Sequence, residues 1–277
     1  MMKNMLVQVM LLIMVGKRSI NLKFTNNILN NKKSGFTLAE VLITLSVISV
    51  VAVVTMPAMY GDIQSKKFTT KLISTVSEIE TAFTNSIIQE GADNLSETKM
   101  FKNKSTPKVF ANELGKYIAI ADASDTKNPV KDFYSNAKTP CLMNKNGKRS
   151  NYDDEQIKSS NVSIVLEKNA YLFIQFFNEG NVTQADRKSW INKETLLNKG
   201  QGVAVIDVNG KKEPNTVGRD IFGFVIGQNG ILYPYGGRDV NIRYDYPLSG
   251  AYCNENNIKN SWTCTAKVLQ DGNKIKY

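Results

Sequence analysis

The sequence predicts an α+β fold, a long N-terminal helix carrying a head built on a small antiparallel sheet. Three observations predict it. Val41 to Tyr60 contains no charged residue and reads VLITLSVISVVAVVTMPAMY, an apolar helix of about 30 Å, one bilayer core. Beyond Gly61, apolar side chains recur at Phe68, Leu72, Val76, Ile79, Phe83 and Ile87, the spacing of one helix face. Apolar, strand-like runs separated by Asn, Gly and Pro then follow at Val162–Glu167, Tyr171–Phe177, Val203–Val208, Ile221–Ile226 and Ile231–Tyr235.

Composition removes several chemistries. The chain has no histidine, which excludes Ser-His-Asp and Cys-His nucleophiles and every zinc site that needs imidazole. Its 3 cysteines include no CxxC pair, so a four-thiolate metal site and a thioredoxin-type motif are excluded too. The net charge of +10 is unevenly spread: Lys3, Lys17, Arg18, Lys23, Lys32 and Lys33 lie in residues 1–35 with no acidic residue among them. The rest carries 29 basic and 25 acidic side chains, an ordinary surface. The excess speaks of membrane orientation or targeting rather than of nucleic acid.

Taken in order, Met5–Val15 is apolar except for Gln8 and spans only about 16 Å as a helix. Two readings stay open. It is part of a secretory-type signal without a small-x-small cleavage site, or translation begins at a later Met such as Met14 and residues 1–13 are never made. Basic residues near the apolar span favour its N-terminal side: Lys17, Arg18, Lys23, Lys32 and Lys33 precede it, and Lys66, Lys67 and Lys71 follow. That bias keeps the N-terminus cytoplasmic and sends the C-terminal bulk across. One helix from about Phe36 to Glu90, stopped by Gly91, would be on the order of 80 Å long. The head, residues 92–277, opens with helical spacing over Thr106–Ile120, where Val109, Phe110, Leu114 and Ile118 share a side. Asn209-Gly210 and Asn229-Gly230 are hairpin dipeptides, and Asp122–Asn161 and Gly236–Cys253 read as polar loops.

The junction of leader and apolar helix reads Lys32-Lys33-Ser34-Gly35-Phe36-Thr37-Leu38-Ala39-Glu40. Glu40 is an acid at the mouth of an apolar span, where a charge usually has a partner. A cut after Gly35 would expose a Phe36 amine, positive at neutral pH, which Glu40 of a neighbouring copy could pair with. This segment resembles the cleavage and methylation signal of type IV pilins and type II secretion pseudopilins, on Gly35, Phe36 and Glu40. Pro57 falls where those helices commonly carry a helix-loosening proline, and it would free the carbonyl of Val53. The 35-residue leader is longer than usual, and Ala39 replaces a bulkier residue.

The resemblance implies a pilin-like fold: leader 1–35, transmembrane and assembly helix 36–91, extracytoplasmic head 92–277. It implies a structural subunit rather than an enzyme. A prepilin peptidase would cleave and methylate it, and an inner-membrane assembly platform would pass it to other pilin or pseudopilin subunits in a filament. In an oxidising periplasm Cys253 and Cys264 would form a disulfide, a feature of many type IV pilin heads, leaving Cys141 unpaired or as an exchange partner. Major pseudopilins carry a calcium loop in the head, which points to Asp207, Asn209 and Asp220 as calcium ligands; turn capping by the same side chains is the alternative. Lys148-Arg149 and Lys211-Lys212 read as solvated loop charges, and Asp153-Asp154-Glu155 shows no pocket for catalysis. Two other functions remain on the sequence alone. One is an anchored periplasmic binding module or enzyme that keeps its leader; the other is a minor pilin that binds DNA or surfaces.

Overall fold

The computed structural model describes residues 36–102, 107–124, 129–135, 137–143, 149–153, 157, 160–177, 200–237, 253–254, 257–258, 261–271 and 275. The chain divides into two units, one ending at Val54 and the other running from Thr55 to Tyr277.

Helix α1 spans Leu38–Glu90 and crosses this division. It is the one helix among the described residues long and apolar enough to cross a membrane. Up to Val54 its large apolar side chains, from Leu38 through Leu42, Ile43, Leu45 and Ile48 to Val53, are all exposed. Its hydroxyls fold back on their own helix. Thr44 Oγ1 donates to Val41 O at 3.0 Å, and Ser46 and Ser49 donate to Leu42 O and Leu45 O at 2.7 Å each. Such a helix needs no water for its polar groups, which suits it to lipid or to other apolar helices. The helix runs on through Pro57, so the loosening expected there is not a break.

In the second unit α1 becomes one-sided. Phe68, Leu72, Ile79 and Phe83 are buried, with Val76 and Ile87 packed against the same core, as the four-four-three spacing predicts. Gly91 ends the helix at φ +60, and its N–H donates to Ile88 O while Ala92 N–H donates to Ile87 O. Short helices α2 (Lys99–Lys102) and α3 (Pro107–Leu114) follow. The helical pattern of Thr106–Ile120 therefore stops early, because Gly115 closes the turn and Ile120 already belongs to a strand.

That strand, β1 (Ile120–Ser124), is the edge of a six-stranded antiparallel sheet with β4 (Val162–Leu166), β5 (Tyr171–Phe176), β6 (Gly200–Asp207), β7 (Ile221–Gly227) and β8 (Leu232–Pro234), in the order β1-β4-β5-β6-β7-β8. Alternation assigns its faces. Leu172, Ile174, Phe176, Ala204, Ile206, Phe222, Phe224 and Ile226 join the core under α1. Tyr171, Phe173, Val203, Val205, Ile221 and Val225 face the other way into a second core. This second core is closed by Val130, Phe133, Tyr134, Ile157 and Trp262.

The stretch expected to be a polar loop, Asp122–Asn161, thus supplies a cover. It holds α4 (Pro129–Phe133) and the hairpin β2 (Cys141–Met143) with β3 (Arg149–Asp153). Much of the other loop, Gly236–Cys253, lies outside the described residues, as do Lys148, Asp154 and Glu155. Asn229-Gly230 does turn tightly, with Gly227 N–H donating to Ile231 O at 2.9 Å. Asn209-Gly210 does not make the predicted hairpin: β6 ends at Asp207 and β7 begins only at Ile221. Two further pieces, the short pair β9 (Cys253–Asn254) with β10 (Asn257–Ile258) and helix α5 (Cys264–Gln270), complete the head.

Polar contacts fasten the sheet to α1 where apolar packing alone would let it slide. Lys71 Nζ donates to Lys168 O at 3.1 Å and to Val208 O at 2.9 Å. Glu80 Oε1 accepts the edge-strand N–H of Leu232 at 2.8 Å, and Glu78 pairs with Lys168 at 3.0 Å.

Candidate functional site

The start of α1 is locally self-determined. Thr37 N–H and Thr37 Oγ1 both donate to Glu40 Oε2, at 2.9 and 2.8 Å, and Glu40 N–H donates to Thr37 Oγ1 at 3.2 Å. Thr37 O accepts the first helical bond, from Val41 N–H at 3.2 Å. This is a capping box, a Thr followed three residues later by Glu, each satisfying a donor that a helix start leaves orphaned. The Thr-x-x-Glu pattern was there in the sequence, so Thr37 was legible as a partner of Glu40.

The geometry has a chemical consequence. Glu40 holds its carboxylate at the Thr37 N–H, one residue from the Phe36 nitrogen. Phe36 itself is exposed. Gly35 lies outside the described residues, and so does the leader before it. Residues 30–56 match the family model of the prokaryotic N-terminal methylation motif. The chain carries a prepilin-type methylation segment. No curated protein and no solved structure matches the chain. The prepilin-like segment and the apolar first half of α1 are together those of a single-pass membrane anchor. The motif ends at Met56, so the head lies beyond it.

In the head, Cys253 and Cys264 are joined by a disulfide with their Cα atoms 5.2 Å apart. The bond packs with Met143 of β2, tying the C-terminal segment to the cover of the second core. Cys141 is a buried thiol 3.9 Å from Thr216 Oγ1. An open hollow of ≈ 430 Å³ beside β1 is lined by small residues with Lys116 and Asp122. Lys116 there is already paired with Glu113 at 2.6 Å.

Asp207, Asn209 and Asp220 do come together, in the long β6–β7 connection. Asp207 Oδ1 accepts the N–H groups of Asn209 and Gly210 at 3.0 and 2.9 Å, and Oδ2 accepts the Tyr134 hydroxyl at 2.6 Å. Asp220 accepts Asn215 N–H and Thr216 N–H, both at 2.7 Å. Asn209 Nδ2 donates to Lys212 O and Glu213 O. Each carboxylate oxygen therefore faces a donor hydrogen, while Asn209 Oδ1 is buried without a hydrogen-bond partner among the described residues. All three side chains cap turns in this connection. Among the described residues no group of three or more acidic, Cys or His side chains could hold a metal.

Burial pushes Asp220 up to about 7 against the pull of the two N–H donors. Burial, and then the neighbouring Asp220 charge, hold Asp207 well above the carboxylate range, and burial keeps the Tyr134 phenol protonated. An unfolded Asp titrates near 3.9, so from about pH 4 to 7 these two aspartates hold more protons in the native chain than in the unfolded one. Stability therefore falls as pH rises through that window, by about 1.4 kcal/mol per pH unit for each proton retained. Thermal melts of the full chain in detergent should show Tm dropping across this range. Asp220→Asn should flatten the slope, whatever its own Tm, and an undiminished slope would show that the pair does not set it.

Proposed function

We propose that this chain is a prepilin-like structural subunit. A prepilin peptidase cuts between Gly35 and Phe36 on the cytoplasmic side and methylates the new Phe36 amine. The processed subunit rests in the inner membrane with its head outside the cytoplasm. An assembly platform then draws it, with other pilin or pseudopilin subunits, into a type II secretion pseudopilus or type IV pilus. On this reading the chain is a substrate and a building block, not a catalyst. Gly35 and Phe36 serve processing, Glu40 serves assembly, and the face of α1 from Phe68 to Ile87 carries the head.

The single observation behind this is the methylation motif, placed where an apolar helix opens on a Glu40 cap. The test is the mass of the N-terminal peptide of the protein taken from its own cells. A peptide beginning at Phe36 and heavier by one methyl group is expected. An N-terminus upstream of Gly35 in the accumulated protein would overturn the proposal in favour of an anchored module that keeps its leader.

A further inference from the structure

The second unit gathers positive charge where α1 leaves its apolar stretch. Met56, Met59, Tyr60 and Ile63 are exposed, and the next residues outward are Lys66 and Lys67, both exposed. Six residues of helix advance about 9 Å, so Lys66 stands about that far beyond Tyr60, at the outer edge of a headgroup layer. The charge does not stop at the helix. Lys71, by donating to Lys168 O and Val208 O, pulls in the β4–β5 turn and the loop after β6. Those two loops touch, since a side chain added at Gly210 would meet Asn169 O at 2.9 Å. The loop carries Lys211 and Lys212, both exposed. Burial, then the charges of Lys67 and Lys212, hold the Lys71 amine below its usual range, which places the three amines within electrostatic reach.

Part of the opposing charge is already committed. Glu78 is paired with Lys168, Glu213 with Lys138, and Asp207 is buried under Tyr134. Among the described residues Asp62, Glu167 and the buried Asp207 enter no ion pair, and neither do Lys66, Lys67, Lys211 and Lys212. Lysines just beyond a span work against sending that side across a membrane, so their presence there calls for another cause.

We propose that Lys66, Lys67, Lys211 and Lys212 form one face that docks on the acidic phospholipid headgroups of the leaflet from which α1 emerges. The face holds the head against the membrane until the subunit leaves it. This rests on the membrane-anchored reading above. Each lysine near an anionic surface favours the docked head about fivefold, within a range set by the Debye length.

The test reconstitutes the full chain, one copy per nanodisc, in phosphatidylcholine alone or with phosphatidylglycerol, and maps lysine acylation by mass spectrometry. Lys66 and Lys67 follow the anchor in any case, so Lys211 and Lys212 decide. In anionic discs at low salt their labelling should fall about fivefold or more, and high salt should restore it. Exposed Lys102 and Lys116 should label equally in both discs. Equal labelling of Lys211 and Lys212 in the two discs overturns the docking face and leaves the anchor standing. Protection in neutral discs on adding inorganic phosphate would overturn lipid as the occupant. A chain that fails to co-elute with the discs would overturn the anchor as well.

Discussion

Gly223→Ala is expected to lower the Tm of the full chain in detergent by about 5–10 °C, although it adds a single methyl group. Gly223 lies on β7 between Ile221 and Val225, on the face turned to the second core. A Cβ built there would sit 2.7 Å from Trp262 Cε3 and closer still to the Tyr235 ring. Those rings meet edge-on with centroids 5.7 Å apart, and neither is the end of a flexible side chain. The backbone cannot shift away either. Gly223 N–H donates to Thr265 Oγ1 at 3.1 Å, Gly223 O accepts Tyr235 N–H at 3.0 Å, and the residue pairs with Val205 of β6. Overpacking therefore costs about 2–3 kcal/mol. In a Trp262→Leu background the same change should cost much less, because the two sites share one volume. Equal cost in both backgrounds would mean the strain lies elsewhere. Gly61→Ala gives the opposite control. Nothing lies within 4 Å of its Cβ position, so it should stabilise the helix slightly.

This pairing also shows what the sequence could and could not reveal. The α1 face from Phe68 to Ile87 was legible because a helix half in core and half in solvent writes its contrast every three or four residues. Strands β5, β6 and β7 were legible as strands, but that both faces of the sheet are covered (Ile221 to Gly227 is buried throughout) was not read from them. What covers the second face was not legible. Val130, Phe133, Tyr134 and Ile157 come from separate short turns, so their burial leaves no period to read. The Asp207–Tyr134 contact joins residues far apart in the chain, and no local pattern marks it. Asn209-Gly210 misled in the reverse sense: Asp207 caps the dipeptide's N–H groups locally, but the chain then makes a long excursion before β7. At the N-terminus the junction was readable residue by residue, because the methylation motif and the cap are both local in sequence.

Glu40→Ala should leave cleavage after Gly35 intact and reduce incorporation into filaments by about tenfold or more. Glu40 has one job in the structure and a second, separable one under the proposed function. One is the cap: its carboxylate closes the box with Thr37 and steadies the first turn of α1, worth about 1 kcal/mol. The other is the charge, available to a processed Phe36 amine on a neighbouring copy. Loss of a cap alone is too small to stop assembly, since α1 is 53 residues long and fraying would be confined to its first turn. An unpaired amine among apolar helices is costlier, up to about 2.5–3.5 kcal/mol when deep in the bilayer, and 1.4 kcal/mol is already tenfold. Two further variants separate the jobs. Glu40→Gln keeps a side chain that can close a capping box but removes the charge, so it should fail as Glu40→Ala does. Thr37→Ala breaks the box but keeps the charge, so it should assemble at near-normal levels. Incorporation is read as the ratio of sheared filament to membrane-retained subunit at equal cleavage. Full assembly by Glu40→Gln with failure by Thr37→Ala would assign Glu40 to the cap and refute the ion pair.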